Sequence, residues 1–440
     1  MKYLLFVIAA LGVPPFAWVL SMNRRWLRWA FVGVVAALCA YNQTSINFFS
    51  YEEYRGSARG VEVSLAHLMA FSLVGALLFA RRFRRWRPDG GSKLFALHLL
   101  LCLPSLTAAA NVLFSFFEVW KLSLATVFFA AIYNYLAATD DIDAVIRALA
   151  AFVAANFVSV ALGHVSGVWQ PHGLFPHQNS MAVAMNLLGP VFFAGYLMFG
   201  VGNAFGRICT VAFLCAAGSA ARSYSRMALA LMPLGYGLAY ALCILRGRPK
   251  HWIARSVPLA LAGAVALAAM VPRIVERFET APEASANTRV ELARCAWEMI
   301  KDEPLRGIGL NNWGVKINPP WEYADLAGRD VSSRGEDYED GIVETAYLLD
   351  AAECGIPALL AMLAWFGWYG IRCLVLTNRL RHSPYFFFPA GLAGGLAAVC
   401  TQTCFEWVIR QPLDLFCLLF CFAVVSYLGT RKTSDTRSHA

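Results

Sequence analysis

The chain has 440 residues, of which 59% are hydrophobic and only 15% are charged, and its mean hydropathy is +0.54. A soluble globular enzyme needs a more charged surface, so this composition excludes that class. We attribute the formal net charge of +9 to membrane topology and to attraction for anionic lipid, and we expect no nucleic acid as a partner.

Apolar runs of about twenty residues, the length that spans a bilayer as a helix, recur along the chain. Helices are the only spanning form for such runs, because backbone polar groups in lipid must satisfy one another. We therefore predict an all-α polytopic membrane protein with about 12–13 transmembrane helices. Pro14 and Pro15 are expected to make the first span kinked or re-entrant, unless it crosses directly. The candidate spans start near Tyr3, Trp26, Val61, Leu94, Phe116, Ile142, Met181, Arg207, Met227, Ser256, Ile342, Phe386 and Leu413.

Clusters of arginine and lysine fall on one side of the membrane if these spans alternate, and the positive-inside rule makes that side the cytoplasm. The expected organisation is ten transmembrane helices in residues 1–272, a periplasmic loop domain with short helices in 273–340, three further helices in 341–430 and a cytoplasmic tail in 431–440. Residues 273–340, called the polar insert below, then face outward together with the loops at 42–60, 167–180 and 219–226.

The polar insert has sequence features of its own. Thr288 and Glu291 fit a capping box, which predicts a helix from about Thr288 to Asp302, ended by Pro304. Gly307 and Gly309 then allow the backbone to approach either a partner helix or a ligand. The apolar face of the helix is predicted to consist of Val290, Ala293, Trp297 and Ile300.

Several polar side chains fall within the predicted spans. Glu118 and Lys121 are one helical turn apart, which predicts a mutual ion pair. His67 and His98 are expected to be internally hydrogen-bonded histidines. Asp350 and Glu353 are candidates for lining the same cavity as Glu344. Most of the twelve cysteines fall in spans, where packing roles are favoured over metal ligation.

Four segments, in order, resemble elements of the O-antigen ligase and O-antigen polymerase superfamily of bacterial membrane proteins. The third element is similar to the superfamily pattern that begins with an arginine, has a tryptophan eight residues later and ends in a proline- and glycine-containing turn. The last resembles the element that opens the span after the large loop. The four are Gly173-Leu-Phe-Pro-His-Gln-Asn179; Ser225-Arg-Met-Ala-Leu-Ala230; Arg289 with Trp297 and Asp302-Glu-Pro-Leu-Arg-Gly-Ile-Gly309; and Val343-Glu-Thr-Ala-Tyr-Leu348 with Glu353-Cys-Gly-Ile-Pro357.

This resemblance implies a C-type membrane glycosyltransferase of a bacterial inner membrane, which moves glycan from an undecaprenyl pyrophosphate carrier at the periplasmic face without metal or cofactor. Ligases of the superfamily carry a histidine where Val343 and Glu344 stand, whereas the polar insert contains no histidine. The chain therefore looks more like a polymerase of O-antigen or exopolysaccharide repeat units. The alternatives are a ligase acting on lipid A-core or a protein, and a flippase or transporter that forms no bond. Expected partners are the lipid-linked glycan and membrane lipid, with a chain-length regulator considered as well.

Transfer from a diphosphate carrier requires cations for the departing group and a base for the attacking hydroxyl. Arginine suits the first role because its planar guanidinium stays charged and binds phosphate oxygens bidentately. Arg226 and Arg289 are the candidate catalytic cations, with Arg222 and Arg306 as further substrate-binding residues. The alternative interpretation is a headgroup anchor for Arg222 and Arg226, and a surface salt bridge for Arg289.

Glu344 is the candidate base if burial raises its pKa toward neutrality, and the alternative is a carboxylate that only stabilises a helix start. His172, His177 and Asn179 share an outward loop and are candidates for holding sugar hydroxyls or the carrier phosphate. These two histidines make a poor metal site, since no further ligands accompany them. Tyr347 is the last substrate-binding candidate.

Overall fold

The computed structural model describes residues 2–50, 54, 56–82, 89–249, 251–259, 261, 263, 268, 271–272, 283–327 and 342–431. Nearly all regular structure in these residues is helical, as predicted, apart from one short hairpin of β1 (Ile46–Ser50) and β2 (Gly60–Val63). The first ten helices are α1 Lys2–Ser21, α2 Arg24–Cys39, α3 Tyr41–Thr44, α4 Leu65–Phe79, α5 Gly90–Cys102, α6 Val112–Thr139, α7 Ile142–Val165, α8 Gln178–Phe199, α9 Ala204–Arg222 and α10 Arg226–Leu242.

Residues 252–259 are also helical. The remaining α-helices follow them in the chain. Short 3-10 helices lie at Leu103–Thr107, Pro384–Phe386 and Val408–Arg410, and a π-helical turn at Cys243–Gly247 extends α10. The α-helices are α11 Glu283–Asp302, α12 Trp313–Lys316, α13 Tyr323–Leu326, α14 Ala346–Cys354, α15 Ile356–Arg379, α16 Phe387–Gln402 and α17 Pro412–Thr430.

Ten helical segments of the described chain are long and apolar enough to cross a membrane, which confirms an all-α polytopic membrane protein. Two further predicted spans are shorter than a bilayer requires: α2 has 16 residues and α4 has 15. The predicted span near Ser256 lies mostly outside the described residues. The ten segments are Tyr3–Ser21, Gly90–Thr107, Val112–Thr139, Ile142–Val165, Gln178–Phe199, Ala204–Arg222, Arg226–Gly247, Ile356–Arg379, Pro384–Gln402 and Pro412–Thr430.

Two of the predicted spans, the first and the one near Ile342, are described more exactly by the structure. The first span is one continuous helix that contains both Pro14 and Pro15. The span predicted to start near Ile342 starts at Ile356, because Gly355 interrupts the helix at φ +85° and leaves α14 as a separate short helix. A left-handed φ of this kind is accessible to glycine and strained for other residues. The break leaves α14, which carries Asp350 and Glu353, as a separate helix ahead of the membrane-length helix α15.

The chain divides into two compact units. The first unit comprises Met1–Ala138, Pro282–Trp368 and Thr403–Leu419, and the second comprises Thr139–Ala281, Tyr369–Gln402 and Phe420–Ala440. Within the first unit, α11 packs on α14 through an apolar cluster of buried side chains that includes Trp313. This cluster fixes the described part of the polar insert against α14.

The second unit is built around α8, which packs against α9 and α16. Glycines on α16 make this close approach possible, since a Cβ added at Gly391 would lie 2.3 Å from the Cα atom of Val191. A Cβ at Gly394 would lie 2.1 Å from the carbonyl oxygen of Gly235 on α10. Small residues at such crossings are the usual means of tight helix packing in membranes.

Candidate functional site

Arg289 and Glu344 face each other in the first unit. Arg289 lies on α11 and Glu344 lies in the segment that leads into α14, and their Nη2 and Oε1 atoms are 3.8 Å apart. Their side chains keep 40% and 35% of their accessible surface, so both remain within reach of another molecule. Burial raises the pKa of the Glu344 carboxyl, and the Arg289 charge opposes this increase. The structure thus brings together the predicted base and one predicted cation.

Local anchoring holds Glu344 in this position. Its neighbour Val343 is buried in the apolar cluster between α11 and α14. On the other side, the Thr345 hydroxyl and the Ala346 amide both donate to the carbonyl oxygen of Thr403, each at 3.3 Å. A carboxylate between a packed side chain and these hydrogen bonds has limited freedom to move, which favours a defined geometry with Arg289.

The helix that carries Arg289 differs from its predicted form. α11 begins at Glu283, so Thr288 lies inside the helix and the predicted capping box is wrong. The predicted apolar face is also wrong, because Val290 and Trp297 are exposed. Two apolar stripes of this helix fit the helical period, and the one that packs on α14 is not the predicted one. Its buried face consists of Leu292, Cys295, Ala296, Met299 and Ile300.

Arg306 occupies a different environment from Arg289. It is exposed and makes a bidentate salt bridge with Glu303, at 2.8 Å from Nε and 2.7 Å from Nη2. The hydrogen bond from Arg306 lowers the pKa of Glu303 below the usual value of a glutamate. A substrate phosphate would have to displace this partner. Tyr347, in the first turn of α14, is half-buried.

The glycine turn after α11, which contains Gly307 and Gly309, lies against the helix α14. The sequence had left open whether these glycines approach a helix or a ligand. The amide of Ile308 donates to the carbonyl of Ala352 at 2.9 Å, and the amide of Gly309 donates to that of Glu353 at 3.1 Å. A Cβ at Gly307 would lie 2.4 Å from the backbone of Glu353, and Gly307 has φ +70°. Glycine is therefore required here by both space and conformation.

A buried charge network lies beneath this turn, formed by Glu118, Lys121, Glu353 and Arg410. Arg410 contacts Glu353 at 2.8 Å and Glu118 at 3.3 Å, and Lys121 contacts Glu118 at 2.7 Å. The predicted pairing of Glu118 with Lys121 is thereby confirmed. Burial opposes the charge of Arg410, but Glu353 and Glu118 raise its pKa well above the usual value. Two acids and two bases balance, so the network is neutral when all four are charged.

Sequence reasoning missed Arg410 and the two asparagines that join the turn to this region. The amide nitrogen of Asn311 donates to the carbonyls of Ala58 and Phe114, each at 2.8 Å. The amide nitrogen of Asn312 donates to the carbonyl of Asn111 at 3.1 Å. The paired asparagines after a glycine turn were a visible signal, because an amide side chain can satisfy several backbone groups. Glu353 was predicted to line a cavity with Glu344, whereas it pairs with Arg410.

In the second unit, Arg222 ends α9 within an aromatic cluster. Its Nη1 donates to the Tyr224 hydroxyl at 2.7 Å, its guanidinium lies 5.3 Å from the centre of the Tyr224 ring, and its Nη2 contacts the His164 ring. Tyr224 in turn stacks on Trp169 with ring centres 5.3 Å apart. Trp169 is exposed, and sequence reasoning did not identify it. Stacked aromatics beside a cation suit the apolar face and the hydroxyls of a sugar.

Arg226 is the first residue of α10, as the motif predicted. Ser225 caps this helix by accepting a hydrogen bond from the Ala228 amide at 3.5 Å. A positive side chain at a helix N-terminus opposes the helix dipole, so this position is electrostatically unfavourable unless an anion is near. The Arg226 side chain is half-buried.

His172, His177 and Asn179 lie at the start of α8 in the second unit, and both histidines are exposed. The His172 ring contacts the carbonyl of Phe175, while His177 Nδ1 accepts from the Asn179 amide at 3.2 Å as the helix cap. Burial lowers the pKa of His177, and the charge of His172 lowers it further. Gly173, at φ +62°, lies directly against Asn156, whose Oδ1 accepts from the Leu174 amide at 3.0 Å.

The predicted site residues are thus divided between the two units. Arg289, Arg306, Glu344 and Tyr347 belong to the first unit. The second unit contains Arg222, Arg226, His172, His177 and Asn179.

His67 and His98 are internally hydrogen-bonded as predicted. His67 Nδ1 accepts from the Ser64 amide at 2.9 Å, and His98 Nδ1 lies 3.0 Å from the carbonyl of Ala358.

Residues 211–363 match the model of a protein family described as O-antigen ligase. The resemblance to the O-antigen ligase and polymerase superfamily is confirmed. The match covers about a third of the chain and contains both Arg226 and Arg289, together with Glu344. It supports glycan transfer of the ligase and polymerase type in general. No curated protein matches the chain.

Proposed function

We propose that this protein is a glycan polymerase that joins lipid-linked oligosaccharide repeat units at the periplasmic face of a bacterial inner membrane. The observation that carries the proposal is the half-exposed pair of Arg289 and Glu344 within the segment matched by the family. In the reaction, a hydroxyl of one repeat unit attacks the anomeric carbon of a chain held on undecaprenyl pyrophosphate. The new glycosidic bond forms as the bond from carbon to phosphate oxygen breaks, and the diphosphate leaves with the electron pair.

Glu344 is the proposed base that takes the hydroxyl proton. A carboxylate is an efficient base when its pKa lies closer to the working pH, and burial moves the pKa of Glu344 in that direction. Protonation of Glu344 removes its attraction for Arg289. The guanidinium is then available to the phosphate oxygens at the moment when negative charge develops there, which is when stabilisation accelerates the reaction.

Arg222 and Arg226 are proposed to hold the carrier diphosphate or the sugars next to it. Arg226 lies at the start of α10, where a phosphate would interact favourably with both the side chain and the helix amides. Arg222 and the stacked Tyr224 and Trp169 supply a cation and an aromatic surface for a sugar ring. His172, His177, Asn179, Arg306 and Tyr347 remain proposed substrate contacts.

Polymerisation is favoured over ligation by the absence of histidine from residues 273–340 of the sequence. Ligation to lipid A-core or to a protein is the second candidate, favoured by the description of the matching family. Purified protein incubated with lipid-linked repeats separates the two, because a polymerase gives a ladder of longer lipid-linked chains, whereas a ligase needs a new acceptor. Movement of lipid-linked glycan across vesicles without either product would contradict both and indicate a flippase.

The pair itself is tested with Glu344→Gln and Arg289→Ala. Loss of a general base is expected to lower the rate of chain extension by roughly 10²–10⁴-fold, with normal amounts of protein in the membrane. Lys301 and Glu298 form an exposed pair on the same helix at 2.8 Å, so Lys301→Ala and Glu298→Gln are the matched controls and should keep normal extension. Normal polymer length in both Glu344→Gln and Arg289→Ala would refute the assignment.

A further inference from the structure

A compact set of metal-ligating side chains lies in the first unit, apart from the residues proposed for glycan transfer. His98 and Cys102 are four residues apart on α5, and Asp350 and Cys354 are four residues apart on α14. Residues four apart share one face of a helix, so each helix presents two side chains of this set. One ligand atom from each of His98, Cys102 and Asp350 lies within 4.8 Å of the others, and Cys354 packs with Cys102.

The geometry of the set suits a tetrahedral ion. The Nε2 atom of His98 lies 3.7 Å from the Cys102 sulfur and 3.8 Å from Oδ1 of Asp350. Ligands bound to zinc at usual bond lengths are separated by about 3.3–3.8 Å, so these two distances would have to change by only a few tenths of an ångström. Cys354 clusters with Cys102 but lies outside the group of three, so its sulfur would have to move toward the other donors to become the fourth ligand. All four residues are buried.

The hydrogen bond made by His98 fixes the tautomer that a metal needs. Its Nδ1 lies 3.0 Å from the carbonyl oxygen of Ala358, and because a carbonyl only accepts, Nδ1 is the protonated nitrogen. A neutral ring then directs the lone pair of Nε2 toward Cys102 and Asp350. Metal-bound histidines commonly use this arrangement, in which the second ring nitrogen donates to a carbonyl or carboxylate.

The Asp350 carboxylate supplies an independent observation. It is only 3% exposed, and its Oδ2 atom has no hydrogen-bond partner among the described residues. A buried carboxylate oxygen without a hydrogen-bond partner is unfavourable. An ion pair with a protonated His98 does not resolve this, because 3.8 Å is too long for a hydrogen bond and Oδ2 still lacks a partner.

We propose that His98, Cys102, Asp350 and Cys354 bind one Zn²⁺ ion that joins α5 to α14. The nitrogen, sulfur and carboxylate donors match zinc, and four protein ligands leave no open position for a substrate. The ion is therefore structural. It fastens α14, whose preceding segment carries Glu344, to the membrane-length segment Gly90–Thr107, and binding releases the thiol protons to solvent.

The test uses the full-length protein in detergent, stripped with a chelator and then loaded with ZnCl₂ alone. We expect about one zinc per chain after gel filtration and a higher melting temperature than that of the stripped protein, in line with stabilisation by a ligand that binds only the folded state. Loading with Co²⁺ should give a thiolate-to-cobalt absorption band. In the nearly isosteric variant Asp350→Asn and in Cys102→Ser, zinc should be lost at concentrations that saturate the unaltered chain.

Cys373→Ser is the matched control, because Cys373 is a fully buried free cysteine on α15 in the second unit. This variant should keep both the zinc and the cobalt band. Absence of zinc from the loaded protein together with no cobalt–thiolate band would overturn the proposal. So would a disulfide between Cys102 and Cys354 in metal-free protein, found by mass after alkylation, with no zinc uptake following reduction. None of these readouts depends on glycan transfer.

Discussion

Replacing Arg410 by methionine tests whether the buried charge network holds the glycine turn and α14 together. Arg410 is the side-chain cation that contacts Glu353, at 2.8 Å, whereas Glu118 keeps Lys121 at 2.7 Å and the Ser57 hydroxyl at 2.8 Å. Arg410→Met therefore leaves one uncompensated negative charge among side chains that are at most 10% exposed.

Breaking a buried ion pair from one side destabilises a protein by roughly 3–5 kcal/mol. We expect Arg410→Met to lower the free energy of unfolding by about this amount. The double variant Arg410→Met/Glu353→Gln restores a neutral interior, and its amide oxygen can still accept from the Trp313 amide, as Glu353 Oε1 does at 3.2 Å. The double variant should therefore be more stable than the single one, with a coupling energy of about 1–3 kcal/mol.

The assay is an unfolding titration in detergent, followed by tryptophan fluorescence and repeated for each variant. Arg147→Met is the control, since Arg147 makes an exposed pair with Asp143 at 2.9 Å and should change stability by less than about 1 kcal/mol. If Arg410→Met were as stable as the control, or if the double variant gained nothing over the single one, the network would not have the role derived from its geometry.

Two further changes test the pair and the turn. Because Glu344 acts as a base only when deprotonated, chain extension should fall as the pH drops through its raised pKa. Arg289→Ala removes the charge that lowers this pKa, so in any residual activity the acid-side loss should move to higher pH; a pH profile checks this, and an unchanged or opposite shift contradicts it. Gly307→Ala forces a Cβ to within 2.4 Å of the Glu353 backbone at a φ of +70°, and should destabilise the protein by about 1–3 kcal/mol or more. Gly367→Ala, where a Cβ meets nothing within 4 Å, is the control in the same unfolding assay, and equal stability of the two variants would contradict the prediction.

Features that depend on neighbouring residues were readable from the sequence. Apolar runs predicted the membrane-length helices, since a helix satisfies its own backbone within the segment. The pairing of Glu118 with Lys121 follows from a spacing of one helical turn, and the start of α10 at Arg226 follows from a local serine cap. The family resemblance also rests on short local motifs, and the matching family covers three of the four.

The tertiary structure alone decided which distant side chains meet. Arg410 contacts Glu118 across 292 positions of the chain, and His98 reaches Ala358 across 260, so no local periodicity reports either pairing. The buried face of α11 was likewise selected by its contact with α14, because two stripes of that helix fit the period equally well. Sequence by itself determined most of the membrane-length helices and which charges lie one turn apart. Which helices face each other depends on the packing of the whole chain, because apolar surface is buried between segments that lie far apart in the sequence.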